Sequence, residues 1–215
     1  ADMTTTKVSH PVFARMFDRM APTLEAKGGG AHRDETLAGL SGRVIEVGAG
    51  TGLNFAHYPD TVTEVIAVEP EPYLRAKAEQ AASKAHVSVK VVDGVADQLP
   101  AEDASFDAGV ASLVLCSVSD QTAALAELHR VIRPGGELRF YEHIRSDSAR
   151  LARFQRAIDT VWPQLGGGCH SGRATLDAIG AAGFTIERSR RFTFRPSIMT
   201  FPVSPHAIGI ARRDE

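Results

Sequence analysis

Arg43-Val44-Ile45-Glu46-Val47-Gly48-Ala49-Gly50-Thr51-Gly52 is the stretch on which the reading of this chain turns. Its β-branched apolar run reads as a buried strand, and the run breaks at once into glycines, which let backbone approach a ligand closely. The spacing of those glycines separates two kinds of nucleotide site. A dinucleotide fingerprint runs G-x-G-x-x-G, its third glycine easing helix against strand, but Leu53 stands where that glycine belongs. The pattern is instead Glu46-x-Gly48-x-Gly50-x-Gly52. No Lys or Arg lies between Val44 and His57 to meet phosphate, so the loop suits an adenosine that carries no phosphate chain. Val65-Ile66-Ala67-Val68-Glu69 agrees with this: it reads as a second strand whose closing carboxylate accepts hydrogen bonds from ribose hydroxyls.

Outward from this centre, helical and strand patterns alternate. Gly52 to Tyr58 is expected as a short helix with its N-terminal donors aimed at the ligand. Glu71 to Lys84 reads as an amphipathic helix, Val87 to Val92 as a strand, and Asp93-Gly94-Val95-Ala96-Asp97 as a turn. A fourth strand runs from Phe106 to about Ser112, and Leu113 to Val118 continues past its carboxyl end, where a doubly wound sheet binds ligands. Asp120 is placed to cap a helix reaching Val131; Arg133-Pro134-Gly135-Gly136 stops it, and Glu137 to His143 forms the fifth strand. Beyond lie a basic amphipathic helix from Ser146 to Leu165, a flexible Gly166-Gly167-Gly168-Cys169-His170 connection, and a helix capped by Ser171 and ended by Gly183. Phe184 to Phe194 and His206 to Arg212 read as a closing β-hairpin around a proline-rich loop. Ahead of the core, Val8 to Leu40 is mixed helix, interrupted at Pro22 and by a flexible Gly28-Gly29-Gly30 break. Its Phe13, Met16, Phe17 and Met20 stripe either packs on the sheet or faces the ligand.

The chain has 215 residues, 43% of them apolar, enough for one α/β domain and small for two. We read one domain over 1–215, with a helical lid at 8–40, a cofactor-binding core at 41–145 and acceptor-side helices with the closing hairpin at 146–215. A formal charge of -2 gives no general drive towards nucleic acid or anionic lipid. Two cysteines make no disulfide framework, and no apolar stretch is long enough for a bilayer. A cytoplasmic protein without a membrane anchor, monomer or homodimer, is expected. Ala1-Asp2 ahead of Met3 reads as an expression remnant.

Four landmarks in order bring in a resemblance: the glycine motif, the acidic end of the second strand, Leu99-Pro100 with Ser105-Phe106-Asp107, and Arg133-Pro134-Gly135-Gly136. Together they are similar to the class I S-adenosylmethionine-dependent methyltransferases. That resemblance implies a three-layer α/β/α Rossmann-like fold with seven strands in the order 3-2-1-4-5-7-6, the last antiparallel. It also implies S-adenosylmethionine as cofactor and S-adenosylhomocysteine as product. Glu46 would hold the amino acid end, directly or by orienting the loop, with Asn54 nearby; Gly48, Ala49, Gly50 and Gly52 would give room. Glu69 and Pro70 would meet the ribose, Asp93, Gly94, Val95 and Ala96 the adenine, and Ser112 and Leu113 the end of the fourth strand. Asp93 and Asp97 are equal candidates for the adenine amine.

Rarer stretches narrow the family. Thr51 to Pro59, Leu113-Val114-Leu115-Cys116-Ser117-Val118, Glu142-His143-Ile144, Gly168-Cys169 and Pro205-His206-Ala207-Ile208-Gly209 resemble the methyltransferase-like alkyl thiol methyltransferases. The implied reaction is methyl transfer to a small, largely apolar acceptor, first of all a thiol; the alternatives are O- or C-methylation of a phenol or quinone, and a cofactor-binding protein without transfer activity. A thiol acceptor profits from a base, so His143, His170 and His206, expected at one rim of the sheet, are the catalytic candidates. Trp162, Met199 and Phe201 are candidates for the acceptor wall. No Cys and His pair has zinc-ligand spacing, and no metal is expected.

Overall fold

Residues 11–214 are described by the structure, a computed structural model; Val8 and the Ala1-Asp2-Met3 start lie outside the described residues. Seven strands form one sheet: β1 (Gly42–Val47), β2 (Val62–Val68), β3 (Val89–Val92), β4 (Phe106–Ser112), β5 (Ile132–His143), β6 (Phe184–Thr193) and β7 (Pro205–Arg213). Their order is β3-β2-β1-β4-β5-β7-β6. Parallel pairs join β1 to β2 and to β4, β2 to β3, and β4 to β5, whereas β7 runs antiparallel to both β5 and β6. This is the expected fold.

The central strands read as continuous apolar runs because both faces of a parallel sheet are covered. Ile45, Val47, Phe140 and Leu138 pack on one face with α4 (Gln121–Val131), while Val44, Val65 and Ala67 pack on the other with Leu37 and Ala78. Ala78 belongs to α3 (Pro72–Ala82), which Glu71 caps by accepting from the Leu74 N–H at 2.8 Å; Asp120 caps α4 in the same way on Ala123, at 2.9 Å.

The N-terminal segment keeps one of its two expected breaks. α1 (Pro11–Leu24) runs through Pro22, whereas the glycine run does interrupt the helix: a kinked turn (Glu25–Gly29) separates α1 from α2 (Gly30–Leu37). Gly28, at φ 126° and non-helical, takes a conformation that L side chains avoid and so makes the kink. Gly52 to Tyr58 is a chain of i to i−3 turns, Gly52 on Ala49, Phe55 on Gly52 and His57 on Asn54, and not a helix. The expected 146–165 helix is two, α5 (Ala149–Ile158) and α6 (Trp162–Leu165), because Asp159 turns aside to bind Ser171. Ser171 is therefore fully buried against Asp159 and caps nothing; α7 (Thr175–Ala181) starts later.

Candidate active site

A cavity of about 450 Å³ opens at the carboxyl ends of β1, β2 and β4, where the strand order reverses direction, and α1 closes over it. Gly48, Ala49 and Gly50 form its floor. Gly48 has φ +65° and a Cβ there would collide with Val114; Gly50 has φ +58° and its open face meets only Phe17, 3.7 Å from where a Cβ would stand. Leu113 leaves β4 at φ 59°, rare for a residue with a side chain, its N–H held by the Tyr141 carbonyl at 2.7 Å. The next three N–H groups, of Val114, Leu115 and Cys116, then converge on the Glu142 carboxylate.

At one end the wall is polar and buried. Glu46 accepts from Asn54 Nδ2 at 2.9 Å and from the Tyr58 hydroxyl at 2.7 Å. Arg33 donates to Asn54 Oδ1 at 2.7 Å, to Ser112 Oγ at 3.2 Å and to Glu25 at 3.1 Å. Burial pushes the Glu46 carboxyl up to about 7, against the lowering bond from Tyr58 and charge of Arg33. Glu69 sits at the end of β2, its two oxygens taking the Gly50 N–H at 2.7 Å and the Glu71 N–H at 2.9 Å; burial lifts it too, to about 7. Each oxygen keeps a second lone pair. The Thr51 hydroxyl in the same wall is buried with no partner among the described residues.

Of the cofactor residues expected from the sequence, Glu46, Gly48, Ala49, Gly50, Asn54, Glu69, Pro70, Gly94, Val95, Ala96, Ser112 and Leu113 line this cavity. Gly52 does not: a Cβ on it would meet Phe55 and Ala81, so it serves packing of the turn on α3. Asp93 does not either, being exposed and paired with Arg75 at 2.9 Å, whereas Asp97 does. Phe13 and Phe17 line it, their rings stacked with centroids 6.0 Å apart.

The histidines do not share one rim. His170 lines the cavity, its Nδ1 4.0 Å from Asp159. His143 and His206 are paired across β5 and β7, their rings 4.6 Å apart, and neither lines it. Antiparallel register directs both side chains to the same face of the sheet, where His206 borders a second cavity with Phe201 and Arg191. Burial and the neighbouring His143 charge hold His206 well below its ordinary pKa. Phe201 and Trp162 likewise stand away from the first cavity, Trp162 packing against Cys116, Cys169 and Val203; the Met199 side chain lies outside what is described.

Residues 45–140 match the family described as "Methyltransferase domain". Human thiol S-methyltransferase TMT1B is 35% identical over 182 residues, 81% of this chain and 73% of the relative. Human thiol S-methyltransferase TMT1A is 34% identical over 157 residues, 70% of this chain and 64% of that relative. This chain belongs to the class I S-adenosylmethionine-dependent methyltransferases. A crystal structure of a SAM-dependent methyltransferase from Thermotoga maritima shares the fold, with TM-score 0.71 at 22% identity over 94% of this chain and 97% of that one. The residues present fit the methyltransferase cofactor: the unpartnered Thr51 hydroxyl, the spare lone pairs of Glu69 and the open face of Gly50 all border one space.

Two features of this methyltransferase escaped the sequence. Arg33, 6% exposed, comes from α2 to complete the polar end. Its one signal was an Arg in an otherwise loosely patterned prefix. Cys116, His143 and Cys169 also converge, with His143 Nδ1 3.4 Å from one sulfur and 3.5 Å from the other. The partners are 27 and 26 residues apart, so no local spacing announces them. The bond from Cys116 draws the Cys169 thiol well below its ordinary pKa, and His143 adds to this against burial.

Proposed function

We propose that this methyltransferase acts on a small, largely apolar acceptor, a thiol before others, with His170 as the base. The observation that carries the reading is the mixed lining of the cavity: the hydrogen-bonded Glu46, Asn54 and Arg33 give a buried polar stretch of wall, while Val114, Val118, Gly168 and His170 give an apolar stretch with one imidazole. The thiol S-methyltransferase names of the two human relatives support the same acceptor class.

Bound S-adenosylmethionine supplies a methyl group already activated on a sulfonium. What the chain adds is alignment and exclusion of water. Arg33 and the Thr51 hydroxyl suit the carboxylate of the cofactor's amino acid end, Glu46 its ammonium, Glu69 the ribose diol, and Asp97 the adenine amine. Phe13 and Phe17 turn aromatic rings to a space that receives a cation, which their faces attract. His170 takes the thiol proton, with Asp159 beside its Nδ1 leaving Nε2 for the acceptor.

At pH 7 a thiol with a pKa of about 8.5 is only ~3% thiolate, so complete activation is worth roughly 30-fold. With labelled cofactor, alkyl thiols should be methylated and phenols not, and His170→Ala should lower kcat/KM for thiols by about 10- to 30-fold at pH 7. The deficit should shrink towards pH 9, where thiols ionise unaided. Turnover of phenols in place of thiols would transfer the reading to O- or C-methylation, and a deficit equal at all pH would remove His170 as base.

A further inference from the structure

The geometry points to a metal site at Cys116, His143 and Cys169, fitting Zn²⁺ and clamping the acceptor-side wall. Both sulfurs approach the same ring nitrogen: His143 Nδ1 lies 3.4 Å from Cys116 Sγ and 3.5 Å from Cys169 Sγ. One imidazole nitrogen makes one hydrogen bond, so it serves one sulfur at a time, and the other sulfur turns to its neighbouring thiol or to the Ser117 hydroxyl at 3.5 Å. A cation between the three atoms satisfies all of them. Zn–S bonds of about 2.3 Å and Zn–N bonds of about 2.0 Å, set at a tetrahedral angle, place sulfur and nitrogen about 3.5 Å apart and two sulfurs about 3.8 Å apart. The three donor atoms lie within 4.8 Å of one another, so small side-chain rotations close the shell.

The surroundings hold the donors in place. Glu142, one residue before His143, fixes the backbone at Cys116 by accepting from its N–H and the two before it. The Cys116 carbonyl accepts from the His170 N–H at 2.7 Å, tying the first cysteine's loop to the second's. Binding releases two protons to solvent, one from Cys116 and one shared between Cys169 and His143, and Zn²⁺ with two thiolates and a neutral imidazole carries no net charge, which suits buried sulfurs. A water, or the Ser117 hydroxyl 3.5 Å from the Cys116 sulfur, completes the four positions. The ion touches none of the cavity itself, yet it joins three segments whose neighbouring residues, Ser117, Gly168 and His170, line the acceptor end. Its function is to fix that wall, and it stands whether the acceptor is a thiol or not.

The full chain, stripped of metal and reduced, is titrated with Co²⁺ and then Zn²⁺. One Co²⁺ per chain should bind, with thiolate-to-cobalt charge transfer in the near ultraviolet and tetrahedral bands in the visible. Zn²⁺ should displace it, with two protons released per ion taken up from the metal-free protein. Cys116→Ser and Cys169→Ser should each abolish the charge-transfer band at full occupancy of the wild type, while circular dichroism confirms that each variant folds. The wild type alone decides the matter should a variant unfold: sub-stoichiometric uptake, or bands without sulfur character, overturns the site. Ready formation of a Cys116–Cys169 disulfide with peroxide, in protein that takes up no metal, overturns it in favour of a thiol pair.

Discussion

The two ends of the cavity are built in opposite ways. At the proposed cofactor end, Glu46, Asn54 and Tyr58 are bonded within twelve residues of one another, with Arg33 joining them to Ser112 and Glu25. At the proposed acceptor end, the longer-range contacts hold the wall. Arg173 holds the carbonyls of Leu115 and Val118, both at 2.7 Å and more than fifty residues away in the chain. A site whose ligand is fixed can be written compactly; one whose ligand varies is assembled from loops that change independently. The ends should therefore fail separately.

The largest effect is expected from Arg33→Ala at the cofactor end. The guanidinium is buried and answers Glu25, Asn54 and Ser112, so its loss leaves a partly buried carboxylate without its counter-charge. Breaking such a pair costs about 3–5 kcal/mol, which in a chain of this size lowers Tm by roughly 10 °C. Calorimetry with S-adenosylhomocysteine should show affinity falling together with Tm. Unchanged affinity in a variant that still folds would move Arg33 from the ligand to the scaffold.

The next effect is a pH dependence. Burial raises Glu46, Glu69 and Glu142 from the ordinary carboxyl value of 4.5 to about 7. Between those values the native state binds more protons than the unfolded chain, so stability of the ligand-free protein is full below about pH 4.5 for these groups, declines as pH rises to about 7, and levels above it. Each carboxyl accounts for on the order of 3 kcal/mol over that span. Denaturant midpoints at pH 5.5 and pH 8 measure the slope. Glu46→Gln should flatten it, because an amide can still accept from Tyr58 or Asn54 and has no charge to desolvate. Glu142→Gln should instead destabilise at every pH, since both carboxylate oxygens accept backbone N–H groups, Oε1 from Val114 and Leu115 and Oε2 from Cys116, and an amide nitrogen in place of either cannot accept.

What could be read from the sequence follows the same division. The central strands, the glycine floor and the Glu69 terminus were legible because each is a local pattern, a β-branched run, a glycine spacing, an acid at a fixed place, while the strand order came with the family resemblance those patterns carry. Pro22 misled, since α1 runs through it where local chemistry favours a break, whereas the glycine run does kink the chain at Gly28. His143 and His206 were placed at the right sheet edge but on the wrong face of the problem: antiparallel register, which no single segment specifies, turned both away from the cavity. Arg33 and the Cys116, His143 and Cys169 cluster were invisible for a related reason, as their meaning lies wholly in partners far along the chain.

The smallest effect belongs to the acceptor end and tests whether it can be perturbed alone. Asp159 interrupts the 146–165 helix to accept from the Ser171 N–H at 2.8 Å, the Ser171 hydroxyl at 2.9 Å and the Gly172 N–H at 3.2 Å, with His170 Nδ1 at 4.0 Å. Asp159→Ala leaves these donors without an acceptor, but the pocket is partly open to water, which replaces some of what is lost. A cost of about 1–2 kcal/mol follows. Because Asp159 touches no residue of the cofactor end, the affinity for S-adenosylhomocysteine should stay within twofold of wild type. KM for the acceptor should rise while Asp159→Asn, which keeps a carbonyl oxygen for Ser171, recovers most of the stability but not the orientation of His170. A matching fall in cofactor affinity would join the two ends into one cooperative unit and end the division drawn between them.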